Sequence, residues 1–405
     1  MLFDMTNPVL AKRTSAGDSL ASAREGGRAL LRRTDLCWAA LAGALIPASL
    51  IWDFSWESSI GVDRFWSPPH LATQIGVWLS GLLGARLVLA YTLARRRDAM
   101  ATGVRLGPLC GPAGAWVLLW SALLLQAASL LDNWWQQSYG LGAGLWAPPQ
   151  LLKAAGFFML LFCGVMLCAG ARASGASRMS APLLVWHGGL LLTLCAVFLT
   201  MANYPNRQHA AFFYLVSSAV YPAILLAVGR ATGGRWAVTG TALVYMGLMA
   251  SMVWLLPLFP ARPLTPPIHN PTTRFMPPPF PLLLVAPALL LDWALRSLSL
   301  GAAQNGAPHR ARVAAVAGFA FLAAFVPVQW FFSQFLLSPR ADNWFFAGGG
   351  RHWPFFLKID RARVLFWGVK EDPLTWRAAL LASLLATLSA WLGLRVSGWL
   401  SKLRR

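Results

Sequence analysis

Long apolar runs separated by short polar stretches organise this chain. A membrane-spanning helix needs about 20 apolar residues. A scan at that length predicts ten: Leu36–Ile51, His70–Leu93, Gly111–Leu131, Leu151–Gly170, Pro182–Met201, Ala211–Val228, Trp236–Leu256, Phe280–Leu295, Val313–Leu337 and Arg377–Leu400. An even number puts both termini on one side. The polar stretches alternate in kind. On one side they are plain Arg, Ser, Gly and Ala sequences. On the other they gather carboxylates, tryptophans, prolines and four of the six histidines: His70, His209, His269 and His352. The pattern predicts an all-α, polytopic integral membrane protein.

Composition agrees with the pattern. The 405 residues are 57% hydrophobic and 12% charged, with mean hydropathy +0.55, whereas soluble domains carry about 25% charged residues. A net charge of +20 raises the question of nucleic acid. The arginines, however, fall in runs between apolar segments, "ARRRDAM", "HRARV" and "SKLRR" among them. That distribution sets membrane orientation, and a nucleic-acid interface would instead gather them on one face. The expected partner is therefore the lipid bilayer and not nucleic acid. With the segment Arg340–Arg377 set aside, Lys and Arg concentrate on the side of the termini, so both termini are expected in the cytoplasm and the chain in the cell inner membrane. Residues 1–34 read as a disordered basic tail without a cleaved signal peptide, 35–400 as one transmembrane domain, 339–376 as an outer cap carrying an interfacial helix, and 401–405 as a basic end. The five cysteines show no disulfide or metal spacing and read as small buried hydrophobes.

The first two outer connections resemble each other. Asp53, Trp56, Gly61, Trp66, Pro68, Pro69 and His70 align with Asp132, Trp135, Gly140, Trp146, Pro148, Pro149 and Gln150. Residues 35–95 and 111–171 therefore read as a tandem hairpin repeat forming helices 1–4. The frame residues persist in both copies. The ionisable ones do not, since Glu57 pairs with Gln136 and His70 with Gln150.

In the first copy the polar residues suggest a site. Asp53 and Glu57 share a helical face if the first helix runs through them, and His70 opens the returning helix. Carboxylates at a membrane helix end are costly unless paired, wet or bound to metal. Two carboxylates and a neutral imidazole can hold a divalent transition metal with open positions, with Asp63 a fourth ligand or the acceptor that orients His70. The same residues also fit a polar collar, with Trp52, Trp56 and Trp66 as an aromatic belt.

"DFSWESSIGVDRFWSPPH" is similar to the metal-binding motif in the C subunit of particulate methane monooxygenase and ammonia monooxygenase. That pattern runs Asp-x-x-Trp-His, an Asp six residues on, then an aromatic and Thr-Pro-x-His. Asp53, Trp56, Asp63, Trp66, Ser67, Pro68 and His70 fall in the same register. The resemblance implies copper, oxygen chemistry, and ligand positions for Asp53 and His70. Glu57 stands where the family has His, which moves the preference toward iron, manganese or zinc. The resemblance is confined to Asp53–His70.

His209 and His269 lie in outer connections and are further candidate ligands. Asp292 and Arg296 are spaced for a helical salt bridge, and Arg86 reads as snorkelling or pairing within the bundle. Gly348–Gly350 lacks the strand and helix of a phosphate loop. Three functions fit these features. One is a metal-dependent membrane oxidoreductase of the monooxygenase kind, with a small apolar substrate and partner membrane subunits. Another is a transporter coupling cations or protons to the carboxylates. The last is a non-catalytic scaffold or assembly subunit.

Overall fold

The computed structural model describes residues 31–61, 65–94, 103–140, 146–173, 175, 177–299, 307–348, 352–368 and 372–403. Apolar runs become helices because a helix satisfies its own backbone where no water can. The long elements are α1 (Arg33–Ser59), α2 (Pro68–Ala94), α3 (Ala113–Tyr139), α4 (Pro148–Ala173) and α5 (Ser180–Phe198). A one-turn helix, α6 (Thr200–Asn203), leads to α7 (Ala211–Thr232), α8 (Ala237–Leu255), α9 (Val285–Ser299), α10 (Ala307–Leu336), the short α11 (Ile359–Phe366) and α12 (Trp376–Leu400). Strands β1 (Val104–Leu106) and β2 (Leu109–Gly111) make a small antiparallel hairpin between α2 and α3. Among the described residues, nine helices are long and apolar enough to cross a membrane, which makes this a multi-pass, membrane-type helical protein.

The eighth predicted span differs. It is helical only from Val285, and the 15 residues of α9 reach about 22 Å, short of a hydrocarbon core of about 30 Å. The cause is local. In "MPPPFP", Pro277, Pro278, Pro279 and Pro281 lack backbone donors and hold their predecessors out of helical geometry. The chain through Phe280, Leu282 and Leu284 is nevertheless buried. Neighbouring side chains replace the missing helical bonds: Leu282 N–H donates to the Tyr245 hydroxyl at 2.9 Å and Leu283 N–H to Oε1 of Gln329 at 2.9 Å.

Among the described residues two large apolar cores result, beside a small cluster of Val253, Phe280, Leu336 and Ala341. One lies under hairpins α1–α2 and α3–α4 and against α5, with Ile46, Leu87, Leu125, Leu161 and Leu190 buried in it. The other joins α7, α8, α9, α10 and α12 around Phe213, Tyr221, Leu225, Phe321 and Phe325. In α7, Pro222 interrupts the backbone ladder, and Ser389 of α12 accepts the Ala223 N–H at 2.9 Å.

Several expectations are refined. Residues 1–30 of the expected tail lie outside the described residues, while Arg33 and Thr34 already belong to α1. Arg86 pairs with the buried Asp35 at 2.6 Å rather than snorkelling. Asp292 does not reach for Arg296. Its carboxylate accepts Thr239 N–H (2.8 Å) and hydroxyl (2.7 Å) at the start of α8, where a helix N-terminus favours an anion. Arg296 instead donates to the Asp292 carbonyl at 3.1 Å and stacks over Trp236 at 4.2 Å. The five thiols are free, four of them buried and Cys37 half-buried. Of the triple glycine only Gly348 is described, and it follows a 3₁₀ turn at Pro339–Ala341.

Candidate functional site

The site is set by how far α1 runs. It continues eight residues beyond the apolar stretch, to Ser59, so Asp53 and Glu57 sit one helical turn apart near its end. Gly61 then reverses the chain at φ +137°, a conformation that suits glycine. Pro68 and Pro69 open α2, where a missing backbone donor costs nothing. His70 follows directly and places Nε2 3.5 Å from Oδ1 of Asp53, with the side chains 28% and 20% exposed. Glu57 is exposed and Asp53 half-buried.

Asp63 lies outside the described residues. Among those described, no three His, Cys, Asp or Glu side chains converge as a metal site. The hairpin therefore brings together two of the three expected ligands, one oxygen and one nitrogen donor, with Glu57 a turn away. His209 goes elsewhere: its Nε2 lies 3.1 Å from the Ser333 hydroxyl and its ring packs on Trp330 at 4.5 Å. Burial holds the His209 pKa below its ordinary value, partly opposed by a hydrogen bond to Trp330 backbone. His269 is exposed, and its backbone N–H donates to Phe355 carbonyl at 2.8 Å.

The proline-rich connection between α8 and α9 forms a strap over the tip of α1. Ser55 Oγ donates to the Met276 carbonyl at 2.5 Å, and Met276 N–H donates to Ser59 Oγ at 2.7 Å. Thr272 reaches the Ser59 carbonyl at 3.1 Å, and Leu264 N–H the Ile60 carbonyl at 2.8 Å. The segment between α10 and α12 joins the same point through Phe355 N–H to Ser58 O at 3.1 Å. Phe275 of the strap packs on Trp56 at 6.0 Å, and Trp52 meets Trp56 edge-on. That segment is anchored a second time, where Asn206 donates to the carbonyls of Leu365 and Gly368 at the end of α11, at 2.9 Å each.

The second hairpin shows the same frame with different chemistry. Gly140 also has positive φ, Pro148–Pro149 also open a helix, and Trp146, like Trp66, is exposed. Asp132 is 4% exposed and accepts from Gln136 (3.0 Å), from Gln150 (3.1 Å) and from the Lys153 ammonium. Lys153 stands three residues after Gln150. The residue three after His70 is Thr73, whose hydroxyl turns to Ser49 at 2.8 Å.

Sequence reasoning did not find Lys153, although a lone lysine one turn into "PPQLLKAAGFF" was its signal. It also did not find a buried amide chain. Gln329 Nε2 donates to Gln208 Oε1 at 2.7 Å, Gln208 Nε2 to the Asn203 carbonyl at 2.7 Å, and Asn203 Nδ2 to the Ala196 carbonyl at 3.1 Å. His187 is also buried, and neither ring nitrogen has a hydrogen-bond partner among the described residues. Compared with protein-family models, curated proteins and solved structures, the chain matches none.

Proposed function

We propose that this multi-pass protein lies in the cell inner membrane with cytoplasmic termini, that hairpins α1–α2 and α3–α4 are copies of one unit, and that the first copy binds a divalent transition metal at its outward-facing end. Asp53 and His70 would be ligands, with Glu57 and Asp63 as further donors. One observation carries this reading. The first hairpin sets the His70 imidazole, Nε2, 3.5 Å from Oδ1 of Asp53, where the second hairpin sets the neutral amide of Gln150 on Asp132. An imidazole beside a carboxylate is a donor pair for copper, zinc, iron or manganese.

The chain's own groups set up the chemistry. Asp53 supplies negative charge, the Pro68–Pro69 turn holds His70 against it, and Trp52, Trp56 and Phe275 give an apolar wall suited to a small apolar substrate. The strap shields that wall from bulk water. A metal with open positions would supply activation of oxygen or water, so the proposed class is a metal-dependent, monooxygenase-like membrane oxidoreductase working with partner membrane subunits.

Elemental analysis of the purified full chain tests this. A stoichiometric transition metal that is lost in both Asp53→Ala and His70→Ala supports the reading. A metal-free wild type, or metal content unchanged in both variants, overturns it.

A further inference from the structure

We infer a second site, separate from the hairpin tip, in the bundle between α7, α8, α10 and the non-helical segment before α9: a site for a small uncharged hydrogen-bonding solute of the urea or glycerol class. Tyr214, Ser218 and Tyr221 are spaced to share one face of α7, and all three are fully buried. The hydroxyls of Tyr214 and Ser218 have no hydrogen-bond partner among the described residues, an expensive condition inside an apolar bundle. Tyr221 lies beside Asn203 and Tyr245.

Groups next to these residues hold the broken helix. Tyr245 holds the Leu282 N–H. The Tyr214 ring packs on Phe325 at 6.0 Å, one helical turn from Gln329, which holds the Leu283 N–H. Non-helical backbone at membrane depth is tolerated where it is buried in protein or lines a cavity, and interrupted helices accompany solute sites in transporters. Polar groups continue from here toward the strap side: Gln329 meets Gln208, and Ser333, one turn further along α10, meets the half-buried His209. In the other direction Leu225, one turn deeper on α7, and Val238 belong to the fully buried apolar core. The polar groups therefore form a ladder that runs from the half-buried His209 inward and ends on apolar core.

The charge of the ligand follows from the donors. Hydroxyls and amides both donate and accept, and these rungs include no carboxylate, lysine or arginine. A buried ion would lack a counter-charge there, whereas a neutral solute needs only the hydroxyls.

Uptake of labelled urea and glycerol by proteoliposomes of the full chain tests the proposal. Uptake should exceed that of protein-free vesicles, and Tyr214→Phe and Ser218→Ala should each slow it about fivefold, the equivalent of one lost hydrogen bond. Ser218→Leu, which fills the site, should reduce it further. If Ser218→Leu fails to fold, the two hydroxyl deletions decide alone. Uptake equal to protein-free vesicles, or wild-type rates in both hydroxyl deletions, overturns the proposal.

Discussion

The ammonium of Lys153 is paired with the carboxylate of Asp132, in a hairpin whose counterpart sets His70 3.5 Å from Asp53. The second pair is nearly buried and the first is partly open, so the same frame asks different things of its aspartate. Lys153→Met leaves Asp132 with two neutral amides, and breaking a buried pair in this way should cost about 3 kcal/mol. Thermal unfolding in detergent should show a clear loss in the single variant and recovery of most of it when Asp132→Asn is added. A single variant as stable as wild type would show that the pair contributes little.

The two hairpins also define an exchange. His70→Gln with Thr73→Lys gives the first hairpin two of the three partners that Asp132 has in the second. On the proposed metal reading, the expected outcome is a folded protein, judged by size-exclusion profile and helical circular dichroism, that binds as little metal as Asp53→Ala. Retention of full metal content would move the site away from Asp53.

Gly164 lies against His187, and a Cβ there would overlap the imidazole ring. Gly164→Ala should therefore destabilise by about 2 kcal/mol through overpacking. Combined with His187→Ala, which vacates the space, the two losses should be markedly less than additive. Simple additivity would show that the helices adjust without the histidine.

Gln329 holds the Leu283 N–H and the Gln208 amide at once. Gln329→Leu keeps the volume and removes both bonds, stranding a buried donor and a buried acceptor, at an expected cost of about 2 kcal/mol. Protection of the segment around Leu283 in hydrogen exchange should fall along with unfolding stability. Unchanged protection would place the support of the broken helix elsewhere.

His209 carries a pH dependence. Its folded pKa lies below the ordinary value of 6.5 because burial disfavours the charged ring. On acidification the unfolded chain binds the proton first, so stability is fully present above the unfolded pKa and is lost as pH falls below it toward the folded value. His209→Gln should flatten stability between neutral pH and the acid side of that window while leaving it little changed above. An identical acid slope in the variant would assign the dependence to other groups.

The membrane-type class, the all-α architecture and nearly all of the long apolar helices follow from the sequence alone, because burying twenty apolar residues without water leaves a chain little choice but a helix. The likeness of the hairpins was readable for a related reason: Gly61 and Gly140 both adopt positive φ, and proline pairs open both returning helices, so local backbone chemistry shows in local sequence. The same locality explains the difference at the eighth run, which is helical only from Val285. Its leucines looked helical, yet its prolines forbid the first turns, and Tyr245 and Gln329, 37 and 46 residues away, help to make the break tolerable. The approach of His70 to Asp53, the cation that closes Asp132, the strap over the α1 tip and the departure of His209 toward Ser333 were decided by tertiary structure. Each depends on which helix faces turn toward one another, and that is settled by packing across the whole bundle rather than by residue spacing along the chain.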